Sequence, residues 1–518
     1  MSAKAAGGDV GRITMRSVKS LLLGSTAGLV AVITGQAADL AIKARPIAYA
    51  KICSLYGVGF YEMPGTDLCM KIAGWVRGEA LWGGNGSMIW GPFNGNANSR
   101  TTSNFTYRSR GYITADVRDP TAYGAVRAYL AVGVNTNDTG LASSPAAPAT
   151  TFSSNRAFVQ WAGMTAGVTE SFFDYYDVPA VQYRGGFLPS SSTGDTGWMV
   201  WAYTAQLGGG ASATLSAETR RTLQIINANP GEVGTAAGGS LTPGPFPSVV
   251  TGGGSIFPGN GAYAGEQIPD IVGNLRIDQI WGGAQLMGAL HEDNVAYYGA
   301  TQGTGHPADA WGWAAGAGLR LNTPFVSQGD YFQSQFNFAE GAIRYVLHTT
   351  NSNWGKVNGD AEAYGVLSDC VYGGTFPAGT ATGCNLTTAW GFNASFEHFW
   401  TPQWHTSLYG AYTVVSYDTN ANAQLCTAAG DGMGGLGSAA VAAPGCNNNW
   451  STWGVGSRTQ WDVTKTFYLG VDVLYQNLRS AMTSDSLAHG YAFGGATITE
   501  ANANNLMVNV RAHRDFLP

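Results

Sequence analysis

The chain has 518 residues and a net charge of −6, from 27 Lys and Arg against 33 Asp and Glu. Charged residues make up only 12%, about half the usual globular share, while Gly reaches 73 and aromatics 12%. The acidic balance argues against a nucleic-acid binder, and a mean hydropathy near zero argues against a bundle of membrane-spanning helices. A sheet with one apolar and one wet face fits this composition, as does a secreted β-helix or sandwich. At the N-terminus, Arg16 and Lys19 precede an apolar stretch from Leu21 to Gly35, with Gly35 and Ala37 placed for cleavage. Charged region, apolar region and small-residue site together read as a signal peptide over 1–37, removed after Ala37. The rival reading, an N-terminal membrane helix, needs about 20 apolar residues. Met15 offers a second start, which would leave Met1 to Thr14 outside the natural signal. No later stretch approaches a membrane-spanning length, so the expectation is an exported chain without a transmembrane helix.

A mature N-terminal segment, 38–69, comes next and carries the first two of six cysteines. The pairs Cys53 and Cys69, Cys370 and Cys384, and Cys426 and Cys446 each bracket a loop rich in Gly, Asn or Thr. Six cysteines allow 15 pairings, and local pairing of neighbours is the favoured arrangement in an oxidising compartment. A metal role would need C-x-x-C spacing or histidine companions, and the sequence has neither.

From Met70 the dominant period is two. In Ser103–Asp119 one phase carries Phe105, Tyr107, Ile113, Ala115 and Val117. The other carries Thr106, Arg108, Arg110, Thr114, Asp116 and Arg118. Successive side chains of a strand point to opposite faces, so one face is apolar and the other charged. Ala125–Asn135 repeats this, with Val126, Ala128, Leu130 and Val132 against Arg127 and Tyr129. Strands are expected near 70–83, 103–119, 125–135, 152–164, 166–173, 197–207, 211–220, 270–281, 283–294, 310–323, 330–348, 387–400, 404–417, 450–462, 466–479 and 505–516. Tight links such as MTAG, LGGG, WGG, TPQ and VTKT alternate with long loops over 136–151, 221–268, 349–386 and 418–449. Trp390, Phe396, Trp400, Trp404, Trp450, Trp453 and Trp461 gather near strand ends, as aromatic girdles do where hydrocarbon meets water. In the last strand Val508 and Val510 take the lipid phase and Asn509, Arg511 and His513 the lumen phase, with Phe516 close to the end. The fold expected is all-β, a 16-stranded antiparallel transmembrane β-barrel over 70–518. It has short periplasmic turns and long external loops.

Three segments carry a family likeness. The block "KICSLYGVGFYEMPGTDLCMKIAGWVRGE" closely resembles the mature N-terminus of alphaproteobacterial porins of the rhizobial and brucella type. "NRAFVQWAGMTAGVTESFFD", "WGVGSRTQWDV" and the final "VRAHRDFLP" resemble other parts of that family of general-diffusion porins. The resemblance implies a water-filled barrel in the bacterial outer membrane, usually a homotrimer, that passes small hydrophilic solutes and ions passively. It also implies that one external loop folds into the pore. Here that loop follows the strand ending at Phe173, and supplies Asp174, Asp177 and Arg184. The basic wall facing it would present Arg77, Arg108, Arg110 and Arg127, with Arg458 and Arg511 as further lumen residues by phase. In the first strand, Ile72, Val76 and Ala80 would face lipid, and Lys71, Arg77 and Glu79 water.

Catalytic signatures are missing. The seven histidines form no H-E-x-x-H or H-x-x-x-H pair, and there is no G-x-S-x-G elbow or P-loop. The sequence therefore calls for no enzyme activity, no cofactor, no metal and no nucleic-acid partner. The partners expected are outer-membrane lipid, solutes and copies of the chain itself. The alternative is an outer-membrane barrel with an adhesion, structural or hydrolytic role.

Overall fold

The computed structural model describes residues 52–84, 96–98, 104–137, 149–183, 197–221, 224–227, 263–298, 302–347, 354–358, 361–374, 381–427, 447–481 and 499–516. The expected signal peptide and Arg184 lie outside them.

Alternating side chains build the wall. Its strands are β1 (Cys69–Trp82), β2 (Phe105–Thr121), β3 (Gly124–Asn137), β4 (Ala149–Trp161), β5 (Met164–Thr169), β6 (Trp198–Gly208), β7 (Ala211–Glu218) and β8 (Asp270–Gln279). The second half is β9 (Gly282–Asp293), β10 (Ala310–Asn322), β11 (Tyr331–Glu340), β12 (Thr388–Phe399), β13 (Trp404–Ser416), β14 (Trp450–Thr464), β15 (Phe467–Arg479) and β16 (Ala503–Phe516). Neighbours pair antiparallel in sequence order. The two-residue strand Tyr61–Glu62 adds to β1 as a seventeenth member of the sheet. The last strand returns to the first, in register from Gly74↔Phe516 to Trp82↔Val508. The sheet therefore closes as a 16-stranded barrel with no free edge, and every wall N–H and C=O can be paired in a medium that offers no water.

Exposure is inverted relative to a water-soluble protein. On β1, Ile72, Val76 and Trp82 are 46%, 51% and 42% exposed, whereas Glu79 is buried. Tyr107, Ile113, Leu130, Leu286, Leu408 and Val510 continue the exposed apolar band. Arg110, Asp116, Gln335, Asn393, Arg458, Asp472 and Arg511 are buried on the inner phase. Charge on the outer phase would cost about 2–4 kcal/mol at mid-bilayer, and the outer-phase Arg479 and Arg514 stand at or near the ends of their strands.

Sixteen expected wall strands are found, with three adjustments. The tight link after β4 is not MTAG. Ala162 and Gly163 turn the chain with φ of 49° and 88°, the left-handed pair that matches strand twist in a two-residue hairpin. Met164 and Thr165 thereby pass into β5, which ends at Thr169, so 170–173 leave the wall. The strand expected over 330–348 ends at Glu340. Gly341 has φ of 68°, a conformation that a β-carbon disfavours, and the chain turns inward through a short 3₁₀ segment, Ile343–Tyr345.

That inward turn joins a dry core near the long-loop end. Ile343, Tyr345, Val346, Leu347, Trp354, Val366, Leu367, Val371, Tyr417, Leu425, Trp450 and Leu478 pack together and bury Phe173. Trp450 belongs here and not to the aromatic girdle. It takes the inner phase, lies 5.5 Å from Trp354, and donates its indole N–H to Val366 O at 2.8 Å. Trp404 and Trp461 do face outward near the short turns, stacked at 5.4 Å. Cys53 is bonded to Cys69 and Cys370 to Cys384. Cys426 is also disulfide-bonded, and Cys446 lies outside the described residues.

Candidate functional site

After β5 the chain does not cross back over the rim. Residues 170–183 run along the inside of the barrel, where no ladder can satisfy their backbone. Wall side chains serve instead, since an enclosed polar group without a partner is costly. Asn274 of β8 and Gln285 of β9 donate to Phe172 O at 2.7 and 3.2 Å. The N–H groups of Tyr175 and Tyr176 donate to Gln335 Oε1 of β11, at 2.9 and 2.8 Å. Gln333 Nε2 donates to Asp177 O at 2.8 Å. A single helical turn, Val178–Val181, follows. Its carbonyls take bonds from Arg458 of β14, at 2.8 Å to Ala180 O, and from Ser407 of β13 to Val181 O. Tyr183 ends the described arc. Its N–H donates to Asp472 of β15 at 2.6 Å, its hydroxyl to Gln460 at 3.0 Å, and its O accepts from Arg511 of β16 at 3.0 Å. The loop is thus laced to one side of the lumen, from β8 to β16.

The strands β1–β4 on the remaining side carry an array of guanidinium groups. Glu79 is its hub, with Arg108 Nη2 and Arg511 Nη2 each at 2.6 Å and Arg77 Nε at 3.7 Å. Strand register sets this up, because Arg108 and Arg511 are the two residues opposite Glu79 on β2 and β16. One carboxylate shared by three cations leaves the cluster net positive. Arg77 lies over the Trp75 ring at 4.5 Å, and Arg110 over Trp75 at 5.7 Å and Tyr112 at 5.3 Å. The Trp75 and Tyr112 rings stack at 4.9 Å. Arg110 also donates to Asn135 Oδ1. Nearer the short turns, Asp116 is shared by Arg118 at 2.9 Å and Arg127 at 3.0 Å, both 28% exposed along the side chain. Arg127 lies over Tyr129 and Phe158.

Of the residues that sequence reasoning chose, Arg77, Arg108, Arg110 and Arg127 lie together on this inner wall. Asp177 sits on the loop with its side chain exposed, beside Glu170. Asp174 is placed differently: its carboxylate is buried and held by Arg221, with Nη2 at 2.7 Å. Its charge is taken up inside the protein. Glu170 was not singled out beforehand, yet it is 48% exposed and only 3.9 Å from Arg156. Together with Asp177, Arg276, Asp278, Arg320 and Gln333 it lines a lumen cavity of about 520 Å³. Enclosure, then the nearby Asp174 carboxylate, pushes Glu170 up to about 7. Enclosure also raises Asp177, against the pull of the Ala180 backbone bond and of Arg320 and Arg458. Trp75 and Tyr112 were missed as lumen residues, whereas Tyr129 was already placed on the phase of Arg127. The only signal was an aromatic on the charged phase of an alternating strand.

Comparison with known proteins agrees with the fold. A family model described as Porin subfamily matches residues 39–508. Porin Omp2b of Brucella suis is 25% identical over 367 residues, covering 66% of this chain and 86% of that protein. Porin Omp2a of Brucella ovis is 27% identical over 209 residues, covering 35% of this chain and 57% of that one. A putative outer membrane protein, y4fJ of Sinorhizobium fredii, is 30% identical over 161 residues, covering 30% and 43%. Among solved structures, the outer membrane channel DcaP of Acinetobacter baumannii aligns with a TM-score of 0.54 at 13% identity. That alignment covers 88% of this chain and 99% of that one.

Proposed function

The chain belongs to the Porin subfamily and is an outer-membrane porin channel, and from that premise we propose how its pore selects. The narrowest passage lies between the inward loop, with Glu170 and Asp177, and the basic wall of Arg77, Arg108, Arg110 and Arg127. Solutes pass by diffusion, with no reaction catalysed. Acid facing base across an enclosed aqueous gap makes a transverse field. Hydrated polar solutes can align in it, whereas apolar ones would have to displace ordered water. The observation that carries this reading is the loop itself, hydrogen-bonded to β8, β9, β11, β13, β14, β15 and β16 while β1–β4 keep their guanidiniums on the inner phase. Removal of residues 1–37 on export and assembly as a homotrimer belong to the same proposal.

Single-channel recording in planar bilayers under a salt gradient tests it. Stepwise insertions are expected. Asp177→Asn should move the reversal potential toward anions and Arg110→Ala toward cations. If neither substitution changes conductance or reversal potential, this placement of the constriction is wrong. Correctly folded protein with no conductance at all would favour a structural or adhesive barrel.

Glu170 gives the pore a pH response. Its carboxyl is raised to about 7, so it is ionised above that pH and neutral below. Lowering the pH through about 7 removes one negative charge from the loop and should shift the reversal potential toward anions. Glu170→Gln should abolish that step, and the measurement is the reversal potential recorded from pH 8 to 6 (about one unit either side of the carboxyl).

A further inference from the structure

Near the external ends of β8 and β9 lies a cluster that ion passage does not use. His291 and Asp293 occupy the inner phase of β9, and Asp369 arrives from the segment just before the Cys370–Cys384 bridge. All three are fully buried. Their ligand-type atoms lie within 4.8 Å of one another, and His291 Nε2 is 3.8 Å from Asp293 Oδ1. The Tyr263 hydroxyl, from the loop leading into β8, completes a fourth corner. It lies 2.9 Å from His291 Nε2, 3.2 Å from Asp293 Oδ1 and 2.9 Å from Asp369 Oδ2. A tetrahedral metal shell with bonds of about 2.0–2.2 Å separates neighbouring ligand atoms by about 3.3–3.6 Å. Four of the six separations, between 2.9 and 3.8 Å, come close to that spacing before any adjustment, and the other two are within 4.8 Å.

The other oxygen of the Asp293 carboxylate, next to Gly341, bears on the same site. Asp293 Oδ2 is buried and has no hydrogen-bond partner among the described residues. A buried carboxylate oxygen without a donor carries a large desolvation cost. The ligands are also oriented from behind, as metal ligands are. Asp270 Oδ1 lies 2.8 Å from His291 Nδ1, which turns Nε2 toward the cluster. Ile343 N–H donates to Asp369 Oδ1 at 2.8 Å, which leaves Oδ2 facing Tyr263. The Tyr345 hydroxyl and the Arg221 N–H hold Asp270 Oδ2 at 2.7 and 3.0 Å. The neighbouring Arg220 guanidinium lies over the Tyr263 ring, 4.4 Å from its centroid, and donates to Ala264 O.

We propose that His291, Asp293, Asp369 and Tyr263 bind one divalent transition-metal cation. One imidazole with three oxygens suits Zn²⁺ and its first-row neighbours, whereas Ca²⁺ takes six to eight oxygens. The bound cation ties together three stretches distant in sequence: the loop at Tyr263, the end of β9, and the disulfide-closed segment that carries Asp369. It thereby fastens the inward-folded loops at the external mouth, and it does so whether or not the constriction is placed correctly.

Calorimetric titration of Zn²⁺ into chelator-treated, dialysed full-length protein in detergent tests this, with heat-modifiable gel migration as the check on folding. One Zn²⁺ per chain and a raised melting temperature are expected for the unaltered protein. Asp293→Asn and His291→Gln should each abolish both effects. Asp270→Asn, which removes the negative charge behind His291 and leaves one amide oxygen as acceptor, should weaken binding about 10–100-fold and serves if the ligand variants fail to fold. The proposal is overturned if folded wild-type protein binds no Zn²⁺. It is equally overturned if affinity is the same in Asp270→Asn as in the wild type, or if Ca²⁺ binds and Zn²⁺ does not.

Discussion

Glu79→Gln should move the reversal potential toward anions and lower the stability of the barrel by about 3–5 kcal/mol, the usual cost of removing one partner from a buried ion pair. The Glu79 side chain is fully buried, and the arginines around it are nearly so, at 11%, 9% and 5% for Arg77, Arg108 and Arg511. Three guanidiniums would then face one another without the Glu79 carboxylate between them, at the seam where the last strand closes on the first. Arg511 also holds Tyr183 O at the end of the loop arc, so the disturbance reaches the inward loop. Both readouts are needed. Reversal potential under a salt gradient reports the lost charge, and the temperature at which the folded form disappears from unheated gels reports stability. An unchanged reversal potential would mean that permeating ions do not sense this cluster.

The orientation of that cluster is legible in the sequence, but its partners are not. Alternation places Arg77 and Glu79 on one phase of β1 and Arg108 and Arg110 on one phase of β2. Period two survives any register, so lumen orientation follows from a single strand. Register does not follow. Glu79 meets Arg511 across 432 positions only because β16 returns to β1, and no local pattern states the stagger at which it does so. Asp174 fails for a related reason. A loop aspartate beside Asp177 looks like its twin, until folding brings Arg221 against one and leaves the other exposed. The run that ends β11 shows a third limit. "AIRYVL" reads equally well as wall strand or as dry core, and the choice is made by Gly341 turning the chain inward. The proposed metal ligands were invisible for the same reason as Arg511. Tyr263, Asp293 and Asp369 form no spaced motif, because they are assembled by the barrel and its loops.

Gln335→Leu isolates the loop from the electrostatics. Gln335 is fully buried on β11, and its Oε1 accepts both the Tyr175 and Tyr176 N–H groups. Leucine has similar bulk and no charge, so the substitution removes the acceptor, together with the Nε2–H that donates to Asn337 Oδ1 at 3.0 Å. Two enclosed N–H groups without a partner cost about 1–3 kcal/mol each, and the loop can recover that cost by leaving the wall to meet water. The expected result is a larger and noisier single-channel conductance, faster liposome swelling with larger sugars, and a reversal potential close to that of the unaltered protein. Gln335→Glu keeps an acceptor in place and adds a negative charge, so it should hold the loop while shifting the reversal potential toward cations. If Gln335→Leu instead alters ion preference at constant conductance, the loop does not set the pore width, and the selectivity assigned to its two sides must arise elsewhere in the barrel.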